Sequence, residues 1–229
     1  MPPHDRSTAV SVSAVPSPAA APSPRETWTT VVVPVRSLEG AKSRLGDVLD
    51  AEERRDLVTR LLERTVGVAL RTPGVTEVVV VSADPEALAL AAAGGARTVA
   101  QRSRGLNPAI VEARDASPDA GRLLVLPADI PGIVPADLAA LLAAGDAAGS
   151  PSVILAPDRH GRGSNALLLD PPDVIDPAFG GDSRAAHAWL ASSAGAAFAE
   201  LPGVLSLDVD TPDDLLVAGP LVAEATDAV

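Results

Sequence analysis

Four short apolar runs, each followed by a polar loop, constrain this chain more than any other feature. They are Val31–Val35, Val78–Val81, Leu123–Leu126 and Val153–Ala156. Apolar runs of this length without alternation read as strands buried on both faces. The segments between them have helical spacing. Over Glu52 to Leu70, apolar residues recur at Leu57, Val58, Leu61, Leu62, Val66, Ala69 and Leu70, and Pro73-Gly74 ends the pattern. Asp84-Pro85 opens a second helix, an N-cap followed by a proline in the first turn, which runs to Gly94-Gly95. Arg97–Ala100 reads as a short strand, and Asn107–Arg114 and Pro135–Ala147 as helices. Such alternation specifies a parallel sheet covered on both sides. Past residue 157 the pattern changes to strand Ala166–Leu169, helix Ser183–Leu190, strand Leu205–Val209 and closing helix Thr211–Val217. The expected fold class is α/β, a three-layer α/β/α sandwich with a mostly parallel mixed sheet, the later strands forming a mixed annex.

The 229 residues suffice for one full core and would cramp two. Residues 1–26, rich in Pro, Ser and Ala without periodicity, read as a disordered tail. Residues 27–222 are expected to form a single domain, and 223–229 a C-terminal tail. Aromatics make up 2% of the chain and the formal charge is −12. That argues against stacking on bases and against binding a polyanion, so no nucleic-acid partner is expected. The absence of cysteine excludes disulfides and thiolate chemistry. The histidines, His4, His160 and His187, are too dispersed for a histidine metal site. No apolar stretch is long and unbroken enough to span a bilayer, so no membrane association is expected. Pro16, Pro18, Pro22 and Pro24 interrupt the N-terminal stretch, which reads as no signal peptide. The expected location is cytoplasmic.

In open α/β sheets, ligands bind beyond the carboxyl ends of the strands. The first run there delivers Pro34, Arg36 and Lys42, the one lysine among 18 basic residues. The second delivers Ser82 and Asp84. The third strand is followed by Arg102, Arg104, Gly105, Leu106 and Asn107, and the fourth run by Asp129. The late strand delivers Asp208 and Asp210. A cation-bearing loop facing carboxylates from separate strands suits a nucleotide polyphosphate held with Mg²⁺, which takes hard oxygen ligands. Lysine acts there as a mobile point charge, a role arginine does not copy well. Plainer explanations stand beside each motif. Asp129 can simply end its strand. Thr211, Pro212 and Asp214 make a capping box, which accounts for them but not for Asp208 and Asp210. Those two alternate about Val209, and two carboxylates on one face repel unless a cation joins them. Gly161-Arg162-Gly163-Ser164-Asn165 reads equally as a phosphate loop or a hairpin turn. Phe179-Gly180-Gly181-Asp182-Ser183 opens a helix, either by ordinary capping or around an anion at its N-terminus.

Taken together, these motifs resemble a known family. They are Pro34-Val35-Arg36 with Ala41-Lys42-Ser43-Arg44-Leu45, Gly105-Leu106-Asn107, Leu126-Pro127-Ala128-Asp129, Gly163-Ser164-Asn165-Ala166-Leu167, Phe179-Gly180 with Ser183, and Asp208-Val209-Asp210-Thr211-Pro212. In that order, over roughly residues 28–220, the chain resembles the guanylyltransferases that make the phosphodiester precursor of the deazaflavin hydride carrier, coenzyme factor 420. The wider superfamily includes the molybdenum-cofactor guanylyltransferases and shares the nucleotide-diphospho-sugar transferase fold. The superfamily's glycine-rich start is absent, and the lysine-bearing loop stands in its place. Arg36 occupies a position where Lys is as common, and Ser164 one where Thr is common.

The resemblance implies a Mg²⁺-dependent enzyme that transfers GMP from GTP to phosphoenolpyruvate or 2-phospho-L-lactate and releases pyrophosphate. It implies that Arg36 and Lys42 hold phosphates, with Pro34, Ser82, Gly105, Leu106 and Asn107 bordering the nucleotide. Asp129 and one of Asp208 or Asp210 would bind Mg²⁺. Ser164, Gly180 and Ser183 would grip the acceptor, a small phosphorylated carboxylic acid. The product would pass to a downstream deazaflavin-accepting transferase, and a homodimer paired through a sheet edge stays open. Three alternatives carry weight: a nucleotidyltransferase with another acceptor (3-phosphoglycerate, a sugar phosphate or a pterin), a metal-dependent glycosyltransferase, and a non-catalytic nucleotide-binding module.

Overall fold

A computed structural model describes residues 28–203 and 205–227. The strands are β1 (Thr29–Pro34), β2 (Val75–Ser82), β3 (Arg97–Ala100), β4 (Arg122–Val125), β5 (Ser152–Pro157), β6 (Ser164–Asp170) and β7 (Ala197–Glu200). The helices are α1 (Ala51–Arg71), α2 (Pro85–Ala93), α3 (Leu106–Asp115), α4 (Pro135–Ala148), α5 (Ser183–Ser193) and α6 (Pro212–Asp227). The strands form one sheet of order β3-β2-β1-β4-β6-β5-β7. β1 pairs in parallel with β2 and β4, β2 with β3, and β5 with β7. β6 alone is antiparallel to its neighbours β4 and β5.

Alternate residues of the valine and leucine runs face opposite layers, because side chains in a strand point up and down in turn. Val31, Val33, Val78, Val80, Leu124 and Ile154 pack with Leu62 and Val66 of α1, Ala87 of α2 and Leu138 of α4. Val32, Val79, Leu123, Val125, Val153 and Leu155 pack with Ile110 of α3 and Ala191 of α5. The three-layer sandwich follows directly from strands that are apolar on both faces. A third, smaller cluster joins Leu45, Leu57 and Leu61 to Val209 and Ala218 of α6.

Several expectations change. The strand expected over Leu205–Val209 is not there; the described residues of that segment are irregular. The edge position goes instead to β7, whose pattern is only partly buried and so carries a weak apolar signal. β6 is not part of an annex, since it lies inside the sheet between β4 and β5. α6 runs on through Asp227, so residues 223–227 continue a helix expected to stop at Val217. The stretch read as an N-terminal tail, 1–26, lies outside the described residues. No described helix is long and apolar enough to cross a membrane.

Candidate functional site

The loop leaving β1 is fixed before it reaches Lys42. Asp84, at the N-cap of α2, accepts from Glu86 N through Oδ1 at 2.9 Å. Its Oδ2 accepts from Ser37 Oγ at 3.0 Å and from Leu38 N at 2.9 Å. Burial pushes the Asp84 carboxyl up, but these hydrogen bonds outweigh it and leave the pKa below the usual aspartate range. Ser82 is fully buried; its Oγ donates to Arg36 O at 3.3 Å and accepts from Asp84 N at 3.0 Å. The loop then reverses at Lys42, whose φ of 51° is left-handed and uncommon for a residue with a Cβ. A single 3-10 turn over Ser43–Leu45 follows Lys42. α1 begins later, behind the Asp50/Glu53 capping box.

Lys42 reaches the ends of two distant segments. Its Nζ lies 2.8 Å from Asp129 Oδ2, in the loop after β4, and 2.7 Å from Asp210 Oδ1, just before α6. Burial alone pulls the ammonium's pKa down; the charges and hydrogen bonds of both carboxylates hold it above the usual lysine value. Asp129, Asp208 and Asp210 each bring a carboxylate oxygen within 4.8 Å of the others. Asp208 gains a proton more readily than an ordinary aspartate, through burial first and the Asp129 and Asp210 charges beside it. The Asn165 amide opposes that shift by donating to Asp208 Oδ1 at 3.2 Å. A hard-oxygen cluster with excess negative charge and a carboxyl pushed up by burial and by its neighbours fits a divalent cation.

No strand carries Asp208 and Asp210. The residue between them does: Val209 is fully buried in the small cluster with Leu45 of the lysine loop. Its backbone N donates to Asp129 O at 3.0 Å. Asp214 then accepts from Asp210 N at 3.1 Å and from Thr211 N at 2.7 Å. One apolar anchor and one capping carboxylate thus hold the acidic segment against both the lysine loop and Asp129. The expected capping box is present, with Asp214 N donating to Thr211 Oγ1 at 3.3 Å.

The other wall comes from the β5–β6 hairpin and the entry to α5. Gly161 to Gly163 form a hairpin turn, and it lines the site as well. A Cβ on Gly163 would lie 2.8 Å from Asp158 Oδ2, so a larger residue here would have to push that carboxylate aside. Arg159 pairs with Asp214, and Arg162 with Asp182. Asp182, the N-cap of α5, makes no capping hydrogen bond.

The resulting cleft, about 640 Å³, is lined by Pro34, Arg36, Lys42, Leu106, Asp129, Ser164, Gly180, Ser183, Asp208 and Asp210, and also by Arg44 and Asn165. Ser82, Gly105 and Asn107 are not in its lining. Gly105 takes φ 105°, open to glycine alone, and starts α3. Asn107 spends its amide on the loop that carries Gly180, donating to Phe179 O at 3.1 Å and accepting from Phe179 N at 2.8 Å. Sequence reasoning passed over His187, which lies behind Ser164 with Nδ1 3.0 Å from its Oγ. A lone histidine in a helix carries no spacing signal. A second hollow, about 450 Å³, lies at the opposite ends of the strands by Trp28 and Arg97.

The family described as "Guanylyl transferase CofC like" matches residues 29–218. The chain belongs to that family. The match starts at β1 and ends in α6, so it takes in every wall of the cleft. Among its relatives, the phosphoenolpyruvate guanylyltransferase of Rubrobacter xylanophilus is 45% identical over 189 residues, covering 80% of this chain and 90% of that protein. The protein of the same name from Conexibacter woesei is 42% identical over 202 residues, covering 85% and 89%. Among solved structures, a putative nucleotide-diphospho-sugar transferase from Desulfovibrio desulfuricans G20 superposes with a TM-score of 0.67 at 16% identity, over 86% of this chain and 97% of that one. Glucosyl-3-phosphoglycerate synthase from Mycobacterium tuberculosis, solved with Mn²⁺, uridine diphosphate and phosphoglyceric acid, gives a TM-score of 0.58 at 14% identity, over 87% and 76%. These two establish the shared fold, a mixed α/β nucleotide-diphospho-sugar transferase architecture.

Proposed function

We propose that this protein transfers GMP from GTP to phosphoenolpyruvate, releasing pyrophosphate, in the making of a deazaflavin coenzyme. The observation that carries it is the cleft floor, where Lys42 meets Asp129 and Asp210 with Asp208 beside them. Relatives at 42–45% identity bear the name phosphoenolpyruvate guanylyltransferase, which supports the choice of nucleotide and acceptor. 2-Phospho-L-lactate, of the same chemical class, is the second acceptor to test.

In the reaction, an oxygen of the acceptor phosphate attacks the α-phosphorus of GTP. A P–O bond forms there as the bond to the β-phosphate bridge breaks, and pyrophosphate leaves. The nucleophile is already an anion, so no side chain has to remove a proton. Catalysis then consists of positioning and charge compensation. Lys42 and Arg36 hold the triphosphate, Lys42 as a point charge beside the leaving group. Ser164, Gly180 and Ser183 hold the acceptor. Asp129, Asp208 and Asp210 would hold Mg²⁺, which when bound screens two anions that otherwise repel.

The test is pyrophosphate release with GTP, Mg²⁺ and phosphoenolpyruvate, run beside phospho-L-lactate, 3-phosphoglycerate and ATP. Release with GTP and phosphoenolpyruvate supports the reaction, the nucleotide and the acceptor together. Release only with another acceptor overturns the acceptor assignment of Ser164, Gly180 and Ser183. GTP binding without release under any pairing overturns the enzyme reading in favour of a nucleotide-binding module.

A further inference from the structure

Two hydrogen bonds fix the state of the histidine behind the acceptor wall. His187 is fully buried on α5. Its Nε2 lies 3.0 Å from the backbone nitrogen of Ala178. A backbone N–H can only donate, so Nε2 carries the lone pair. The one proton of the neutral ring is then on Nδ1. Nδ1 lies 3.0 Å from Ser164 Oγ and therefore donates to it. With one lone pair of Ser164 Oγ occupied from behind, its own proton is free for the cleft that Ser164 lines. An imidazolium would set two N–H groups against each other at Ala178. Burial agrees, pushing the His187 pKa down to about 4.

We infer that His187 is a positioning residue that orients the Ser164 hydroxyl as a hydrogen-bond donor toward an anionic oxygen of the acceptor. This rests on the guanylyltransferase reading for the identity of the acceptor, but not for the state of the ring. It also names a preference: a hydroxyl whose proton is kept from His187 and free for the cleft suits a phosphate or carboxylate oxygen. The same ring steadies the neighbouring acceptor loop. Phe179 stands edge-on to it, with centroids 5.0 Å apart and planes at 72°. Asn107 clamps both polar atoms of the Phe179 backbone. Ser164 on β6 and the loop before α5 are thereby registered to one imidazole.

The test has two parts. Nitrogen-15 NMR of labelled histidine should show His187 as the Nδ1–H tautomer, unchanged between pH 6 and 8. An Nε2–H tautomer or an imidazolium overturns the inference whether or not GMP is transferred. His187→Phe keeps an aromatic ring against Phe179 and removes both hydrogen bonds; His187→Asn keeps a donor near the Nδ1 position. His187→Phe should raise KM for phosphoenolpyruvate roughly tenfold, the scale of one hydrogen bond to a charged group, with KM for GTP unchanged. His187→Asn should recover most of that loss, and His187→Phe should add nothing in a Ser164→Ala background. Equal rises in both KM values, additive effects with Ser164→Ala, or no recovery by Asn would overturn it. If His187→Phe does not fold, the comparison of His187→Asn with wild type and with Ser164→Ala decides. If wild type releases no pyrophosphate from GTP and phosphoenolpyruvate, the proposed function falls, and the tautomer alone decides the inference.

Discussion

Three carboxylates around one ammonium leave the cleft floor with surplus negative charge, and Asp208, pushed toward its protonated form, carries the cost. Lys42→Ala and Asp129→Asn should each lower kcat/KM for GMP transfer by roughly 10²-fold or more, a few kcal/mol of transition-state stabilisation, in protein of unchanged circular dichroism. Near-wild-type turnover by folded Asp129→Asn would remove Asp129 from the mechanism. A divalent cation should also raise the melting temperature, because it binds the folded cluster alone. The cation takes a deprotonated Asp208, whose pKa lies above the aspartate value of 3.8. The thermal increment should therefore grow as pH rises through that upper range and level off beyond it. An increment that does not depend on pH would place the cation elsewhere. At this scale the sequence was legible where chemistry is rare in the chain: the single lysine, and the acids Asp129, Asp208 and Asp210 that gather around it. It was not legible for Ser82 and Asn107, because facing a ligand or bracing a backbone is decided by tertiary partners. His187 has no local signature at all.

The clearest elements were those with strong burial, although the partly buried β3 was readable too. β1, β2, β4 and β5 are apolar on both faces, and α1 has a clear apolar stripe with a capping box. The weak edge strand β7 has no such pattern, and the acidic segment mimics a strand because Val209 alternates with aspartates for another reason. The antiparallel insertion of β6 was hidden too, since its run looks like any other. Its partner across the sheet leaves one trace. Arg122 opens β4, and its Nε donates to Asp170 Oδ2, at the end of β6, at 2.9 Å. Both residues are 7% exposed. Arg122 Nη2 also reaches Asp146 Oδ1 at 2.6 Å, but Asp146 is largely exposed. Asp170→Ala should cost about 2–3 kcal/mol by leaving a buried guanidinium with only its exposed partner Asp146, whereas Asp146→Ala should cost about 1 kcal/mol or less. Denaturant melts of both variants check the contrast, and equal losses would show that the pair is not what ties β4 to β6.

Across the whole molecule, the cleft draws its walls from the first strand to the last helix, so acid sensitivity in one buried group reaches the entire fold. His187 has a folded pKa of about 4 against an ordinary 6.5. As pH falls, the unfolded chain takes up this proton first. Stability from this group is therefore complete above 6.5 and is lost between 6.5 and about 4, at roughly 1.4 kcal/mol per pH unit. His187→Phe should flatten that part of the stability curve relative to wild type in chemical denaturation at stepped pH; parallel curves would mean the histidine is not buried neutral. The family match over 29–218 and the architecture were both legible from the order of motifs, since every wall of the cleft contributes one. The solitary lysine has a further consequence, for covalent labelling. Its side chain is 12% exposed and locked by two carboxylates, so acylating reagents find a protonated and shielded amine. A divalent cation that competes for Asp129 and Asp210 should loosen that lock and speed acylation, while bound GTP should block it. With no other lysine to blur the signal, the extent of modification at one position would report who occupies the cleft.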